Sequence, residues 1–353
     1  MTRLLEVLVA IAIVFVLAVL LAIALPSHRH IERSVEVSSP IRQVYDVVSG
    51  FRTYPSWNAL RAYDPKVQLS FKKDSAEMGP GAEVDWTSTD ERIGNGSLTV
   101  APDPAPQQDK QVTWTLVNNW KGENKKLTID IEQSANGKTA KVKMGYDVDY
   151  GWDLVARYAG LYLEGDPATQ IQYQLTSLQN MLATFPNVDY KDQAMAIQDV
   201  TAKPILFIST TAKRTLDDVA DATTKAMDQL QATIKKDKLT AAGPRRTVTT
   251  NWGDENYDFD IALPVDRADA QVSDPLKSGQ SYGGKALVTS FTGSPAQLPL
   301  MRLVLKAYAY THGYIFDESS EGNGRFYDEL TTTDPKVAED AQSFSVYLPI
   351  QTQ

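Results

Sequence analysis

The segment that most constrains this chain is its beginning. From Val7 to Leu25 the sequence reads VLVAIAIVFVLAVLLAIAL, 19 residues without a charge, a Gly or a Pro. About 20 such residues span a bilayer as a helix. A helix packed in a soluble core would keep a polar stripe, and this run has none. Two readings stand. One is a retained single-pass anchor, touching the membrane through residues 4–25. The other is a cleaved signal peptide, with Arg3 as a minimal basic region and Ala22-Ile23-Ala24 as a small-x-small cleavage site. The run is longer than the roughly 7–15 apolar residues usual for a signal peptide, which favours the anchor. The side of the membrane stays open. Arg3 flanks one end and Arg29, Arg33, His28 and His30 flank the other, and the positive-inside rule needs a clearer imbalance.

After the anchor the chain is an ordinary water-soluble sequence. Its 353 residues exceed one ordinary core, so two domains are expected behind the anchor. The expected boundaries are 1–27 for the anchor, 28–190 for a first domain and 198–353 for a second. A net charge of −9 argues against nucleic acid as a partner, because phosphate binding needs a basic surface. The absence of cysteine excludes disulfides, thiolate metal sites and cysteine nucleophiles. There is no GxGxxG, Walker loop or HExxH, so no cofactor is expected.

The first domain opens with His30–Val37, HIERSVEV, whose Ile31, Val35 and Val37 nearly alternate with polar residues as in a half-buried strand. Ser38-Ser39-Pro40 then predicts a helix start, with serine as N-cap and Pro40 at the first helical position. An aromatic-rich turn follows, Phe51-Arg-Thr-Tyr-Pro-Ser-Trp57-Asn. From Val67 to about Tyr146 six alternating stretches (VQLSF, AEVDWTS, GNGSLTV, QVTWTLV, LTIDIEQ, AKVKMGYDV) read as a meander, with turns at Gly94-Asn95-Gly96 and Asn136-Gly137. Asp166-Pro167 then reads as N-cap and first residue of a long helix carrying Ile171, Leu175, Leu178, Leu182 and Phe185. A curved antiparallel sheet around that helix buries both faces. The order, and IERSVEVSSPIRQVYDVVSGFRTYPSWN in particular, resembles the START-like superfamily (the SRPBCC or polyketide cyclase/dehydrase group) over about residues 28–185. The resemblance implies a deep apolar cavity between sheet and C-terminal helix, a lipid, sterol, polyketide or hormone as ligand, and catalysis in only some members.

The second domain is a duplication. Pro186 to about Thr201 reads as a connector. Pro204-Ile-Leu-Phe-Ile-Ser is a strand, Thr215-Leu-Asp-Asp218 a capping box, and Leu216, Val219, Thr223, Ala226, Leu230 and Ile234 a helix stripe. Strands follow at 246–251 and 257–263. The pattern recurs as a strand at 286–292, a helix from Pro295 to about Thr311, and strands at 325–331 and 344–348. Ala-Leu-Pro-Val at 262–265 matches Tyr-Leu-Pro-Ile at 347–350. Two β-α-β-β units in tandem predict one pseudo-twofold sheet with both helices on one face, the open face between the units being concave. Tyr257–Val265, Gly284–Pro295, Glu329–Pro335 and Phe344–Ile350 resemble the gyrase-inhibitor-like (GyrI-like) effector-binding domains, which also occur in multidrug-responsive and AraC-type activators. The fold class expected for the chain is therefore α+β, a START-like helix-grip domain plus a duplicated β-α-β-β effector-binding domain. The GyrI-like resemblance implies a pocket for apolar or cationic small molecules with an acid on a strand. By spacing to Asp334-Pro335 the acid is Glu329, and the aromatic the family often has two residues later is Thr331 here.

Glu329 is thus the candidate ligand contact, set against a solvated strand-end acid; Tyr257, Phe291 and Tyr308 are candidates for the same pocket, set against ordinary core aromatics. His28 and His30 sit at strand spacing but lack a third metal ligand, so solvated interfacial histidines are the simpler reading and no metal is expected. Trp57, Trp86 and Trp114 either face the first cavity or pack the core. No acid–base pair or nucleophile stands out, so no catalytic residue is assigned. The function expected is a membrane-anchored protein binding small hydrophobic or cationic molecules. The alternatives are a cyclase- or hydrolase-type enzyme using the first cavity, and a regulator acting through a protein partner that the sequence does not identify.

Overall fold

The computed structural model describes residues 2–72, 74–102, 110–135, 137–267, 272–317, 325–334 and 336–351. Asn136 of the expected turn and Pro335 of the expected motif lie outside the described residues. The chain divides into two compact units, Met1–Asp189 and Tyr190–Gln353.

The first unit begins with helix α1, Thr2–Ala24. Its stretch Arg3–Ala24 is the one described helix long and apolar enough to cross a membrane. Its side chains are exposed almost throughout, from Leu4 at 67% to Leu21 at 53%. Then come β1 (His28–Val37), α2 (Ile41–Val48), the single turn α3 (Leu60–Tyr63), and the strands β2 (Gln68–Phe71), β3 (Glu83–Thr87), β4 (Gly96–Val100), β5 (Gln111–Val117), β6 (Glu123–Gln133) and β7 (Ala140–Asp149). Helices α4 (Leu154–Ala159) and α5 (Asp166–Leu182) complete it. The sheet order is β1-β7-β6-β5-β4-β3-β2, an antiparallel meander with β1 laid on β7. The alternation read from the sequence sets the faces. Val142, Met144, Tyr146 and Val148 of β7 are buried, while Lys141, Lys143 and Asp147 alternate with them on the other face. Gly94, at φ +53°, supplies the left-handed turn entering β4, a conformation that side chains resist. The buried stripe Ile171, Leu175, Leu178 and Leu182 of α5 packs against the concave side. Each such side chain is worth about 1.5–3 kcal/mol when fully buried.

Two helix starts differ by one residue from the sequence expectation. Pro40 itself is the N-cap of α2, and no side chain caps the helix. The Ser39 hydroxyl is buried without a partner. The N-cap of α5 is Gly165, which places Asp166 and Pro167 inside the first turn, where the carboxylate still faces the positive helix end.

The second unit comprises β8 (Ala196–Val200), β9 (Pro204–Lys213), α6 (Leu216–Lys236), β10 (Arg246–Trp252), β11 (Asn256–Pro264), β12 (Leu276–Gln280), β13 (Gly284–Thr292), α7 (Leu298–Thr311), β14 (Tyr327–Leu330) and β15 (Ser343–Pro349). One sheet runs β12-β9-β11-β10-β14-β15-β13-β8. The duplication is visible in this order. β9-α6-β10-β11 matches β13-α7-β14-β15, and the two halves meet at the antiparallel pair β10–β14. Equivalent hydrogen bonds close the repeats, Val265 N–H to Pro204 O and Ile350 N–H to Lys285 O, both 2.9 Å. The outer strands β8 and β12 are absent from the sequence reading. β8 falls inside the segment read as a connector, and it pairs with β13.

Candidate functional site

Strand periodicity decides which side chains of the second sheet share a face. Tyr257, Phe259, Ile261 and Leu263 of β11 pack with Ala226 and Leu230 of α6 on the helix side. At the central pair, Thr247 opposes Asp328 and Arg246 opposes Glu329. Thr247 and Asp328 therefore face the helices, and Arg246 and Glu329 face away from them.

Between the two helices lies a cleft of about 600 Å³. Leu216, Val219 and Thr223 of α6 form one wall, and Leu298 and Pro299 of α7 form another. The capping box read from the sequence holds the α6 wall. Thr215 Oγ1 accepts from the Asp218 N–H at 3.2 Å and donates to the Asp218 carboxylate at 2.7 Å. The floor is polar and ordered. Arg302 Nη2 donates to Asp328 Oδ1 at 2.7 Å and to the Tyr257 hydroxyl at 3.2 Å. Both ion-pair side chains are nearly inaccessible, at 10% and 2% exposure. Burial works against the Arg302 charge, but Tyr257 and Asp328 outweigh it and hold its pKa above the ordinary value. Burial likewise pushes the Tyr257 phenol up, so it stays protonated. Trp252 closes one end, with the Arg214 guanidinium over its ring at 4.3 Å.

The charge balance of this cleft matters for its ligand. Its lining carries Arg214, Arg245 and Arg302 against Asp328 and Glu339, one cation in excess. Arg245 Nε is buried without a partner, and burial lowers the Arg245 pKa. The one acid on the floor is already engaged by Arg302.

The candidate residues from the sequence divide. Tyr257 lines the cleft. Phe291 sits behind it, stacked on Phe344 at 5.3 Å, and only the Phe344 ring reaches the cleft. Tyr308 lies elsewhere on α7, stacked on His312 at 3.7 Å and edge-on to Tyr190 at 5.4 Å. Glu329 lies on the open face of the sheet, and the strand register keeps it out of the cleft between α6 and α7. There its side chain accepts from Arg246 Nε at 2.8 Å and from the Tyr347 hydroxyl at 3.0 Å. Burial and then the Glu329 charge push the Tyr347 pKa up to about 12. Asp328, one residue earlier, faces the helices and lines the cleft. A shift of one residue exchanges the two faces of a strand, and Asp328-Glu329 presents an acid to both.

The cavity implied for the first unit is largely filled. Phe51, Tyr54, Trp57 and Trp114 converge with ring centroids 5.2–6.2 Å apart. Trp114 Nε1 donates to Val48 O at 2.9 Å. The space between sheet and α5 measures about 40 Å³, bordered by Trp86, Gln170 and Gln174, room for about one or two waters. That volume cannot hold a sterol or polyketide. His28 and His30 are partnered rather than solvated alone, through Asp149 at 2.8 Å and Asp147 at 2.9 Å. Among the described residues no group of three or more His, Asp or Glu side chains is placed to hold a metal.

No protein-family model matches the sequence, and no curated protein matches it either. Among solved structures, the EcmrR C-terminal domain is similar at TM-score 0.39 and 10% identity, covering 46% of this chain and 99% of that one. XoxI from Bacillus cereus is similar at TM-score 0.32 and 15% identity, covering 44% of this chain and 96% of that one. A Thalictrum norcoclaurine synthase point mutant in complex with a transition-state analogue is similar at TM-score 0.34 and 12% identity, covering 44% of this chain and 94% of that one. At these scores the similarities carry no functional conclusion.

Proposed function

We propose that this protein is a membrane-anchored small-molecule-binding protein whose ligand site is the cleft between α6 and α7. The single observation that carries the reading is the cleft itself. It has apolar helix walls, a volume of about 600 Å³, and a floor set by the buried Arg302–Asp328–Tyr257 group. Small-molecule sites have this character, mostly apolar with a few fixed polar groups and roughly 300–1,000 Å³ in volume. The excess of arginine over acid favours a neutral or anionic ligand over the cation first expected. We read the two units as a START-like domain and a GyrI-like domain. The first serves as a filled structural module, and the second as the binding module; the two fold independently. No nucleophile or acid–base pair enters the cleft reading, so binding is preferred to catalysis.

The retained anchor has its own support. Arg157 Nη1 donates to the carbonyls of Ala22, Ile23 and Leu25 at 3.4, 3.0 and 3.1 Å. The last carbonyls of a helix have no partner within it, and here a side chain of the folded unit supplies one. Cleavage after Ala24 would remove the first two of these acceptors. Full-length protein should sediment with membranes and resist carbonate extraction. Recovery of a soluble chain beginning at Leu25 would sink the anchor. Binding is tested by calorimetry with neutral, anionic and cationic members of one aromatic series. Ala220→Trp, which fills the cleft from an exposed position of α6, should abolish the heat. Equal binding by both forms would remove the cleft from the account.

A further inference from the structure

The face of the second sheet away from the helices carries a separate pocket of about 190 Å³. Its walls include Phe207, Val248 and Tyr282, and its polar end is formed by Arg246, Arg325 and Tyr327. Three donors there are buried and unused: Arg246 Nη1, Arg325 Nε and the Tyr327 hydroxyl. Arg246 is 6% exposed and Tyr327 3%. Leaving a buried donor unpaired costs about 1–3 kcal/mol, so three around one space call for an acceptor. Arg246 cannot turn away. Its Nε is held by Glu329, and its guanidinium lies 5.3 Å over the Tyr327 ring. That ring is itself stacked on Tyr347 at 4.4 Å. The Tyr347 hydroxyl occupies the other Glu329 oxygen. Glu329 therefore fixes the arginine rather than receiving a ligand. The lining carries Arg246 and Arg325 against Asp260, and Glu329 behind it offsets Arg246, so the recognition rests on the unused donors rather than on an excess of positive charge.

We propose that this pocket binds a small monocarboxylate with an apolar or aromatic body. The carboxylate accepts from Arg246, Arg325 and Tyr327, and its body lies against Phe207 and Tyr282. The pocket is independent of the helix-side cleft, which shares none of these residues.

The probe is benzoate, with benzamide and inorganic phosphate as controls, titrated calorimetrically into the full-length protein in detergent. Benzoate should bind at least tenfold more tightly than either control. Tyr327→Phe deletes one donor and keeps the stacked ring, so it should weaken benzoate by roughly tenfold to a hundredfold. Arg325→Gln should do the same without touching the Arg246–Glu329 pair, and Ala220→Trp should change nothing. Benzamide matching benzoate, phosphate matching benzoate, affinity unchanged in Tyr327→Phe and Arg325→Gln, or no binding by the unaltered protein would each overturn the site.

A second surface rests on different observations, and on the anchor reading. The segment 152–162 exposes Trp152 at 81%, Val155 at 76%, Leu161 at 49% and Tyr162 at 75%. Within the same segment Arg157 binds the last carbonyls of α1. The Tyr158 hydroxyl donates to Ala18 O at 2.6 Å, and the Arg157 guanidinium lies 5.4 Å from the Trp152 ring centroid. The exposed aromatics are thus tied to the end of the apolar helix. Trp and Tyr favour the level where a spanning helix leaves the bilayer. The geometry points to this segment as a surface seated in the lipid headgroup region. In phosphatidylcholine vesicles with brominated acyl chains, full-length protein should show tryptophan quenching that Trp152→Phe removes. Flotation with the vesicles but equal quenching in both forms would overturn the seat alone. Failure to float would overturn the anchor, and the seat with it.

Discussion

The Arg302–Asp328 pair supports a quantitative prediction. Its nitrogen and oxygen are 2.7 Å apart, with side-chain exposures of 10% and 2%. Removing one partner of a buried pair strands the other charge and costs about 3–5 kcal/mol. Arg302→Met keeps the apolar stem near Trp252 and leaves Asp328 alone. Tyr257 then keeps a partner, because its hydroxyl also meets Thr249 Oγ1 at 3.0 Å. Asp328→Leu leaves Arg302 alone, so each single variant should lose about 3–5 kcal/mol, while the double variant should fall within about 1 kcal/mol of the original, since apolar replacement of a buried pair is often neutral. Hydrogen exchange of the full-length protein reads this locally, in peptides from β11 and α7. Exchange should quicken by about a hundredfold to a few thousandfold in each single variant, and return close to the original rate in the double. Additive losses, or singles costing under about 1 kcal/mol, would refute the view that this pair is a desolvated, coupled floor.

Three further outcomes follow from the geometry. Trp114→Ala empties the centre of the first unit and frees the Val48 carbonyl. It should cost about 3–5 kcal/mol, lowering that unit's thermal midpoint by roughly 6–20 °C. Thr215→Ala removes the cap of α6 and should cost about 0.5–2 kcal/mol, seen as faster exchange confined to the first turn of the cleft wall. The His28 pKa is raised from 6.5, chiefly by its hydrogen bond to Asp149. A raised histidine stabilises fully below its unfolded value and loses that contribution as pH rises through the folded one. Amide protection at the start of β1 should therefore fall as pH climbs above 6.5, while His28→Gln should show no such slope; an unchanged slope would exclude His28 as its origin.

Much of the fold is legible in the sequence because alternation and helical periodicity report burial directly. The seven strands of the first sheet, the stripe of α5, the Thr215 cap and the repeated Leu-Pro ends of β11 and β15 all follow from local pattern. β8 and β12 do not, for a physical reason. They are the outer strands, mostly exposed on both faces, so AIQDV and LKSGQ carry no alternation to read. The duplication was legible, and it pointed to the open face of the sheet; the cleft on the helix side, with Asp328 on its floor, was not legible. Asp328 and Glu329 differ only in strand parity, which is set by the pairing of β10 with β14. The filled interior of the first unit also escaped local reading. Phe51, Tyr54 and Trp57 announce themselves as an aromatic turn, but only the long-range partner Trp114 shows that they occupy the space a ligand would need.

The central claim is that the cleft between α6 and α7 holds a small molecule. Its most direct test is mass spectrometry of compounds released by denaturing the full-length protein purified gently from membranes, compared with the Ala220→Trp form prepared in parallel. A neutral or anionic compound, present with the unaltered protein and depleted at least tenfold in the variant, is the result expected. The same compounds in equal amounts from both forms, or a compound enriched only as a lipophilic cation, would contradict it.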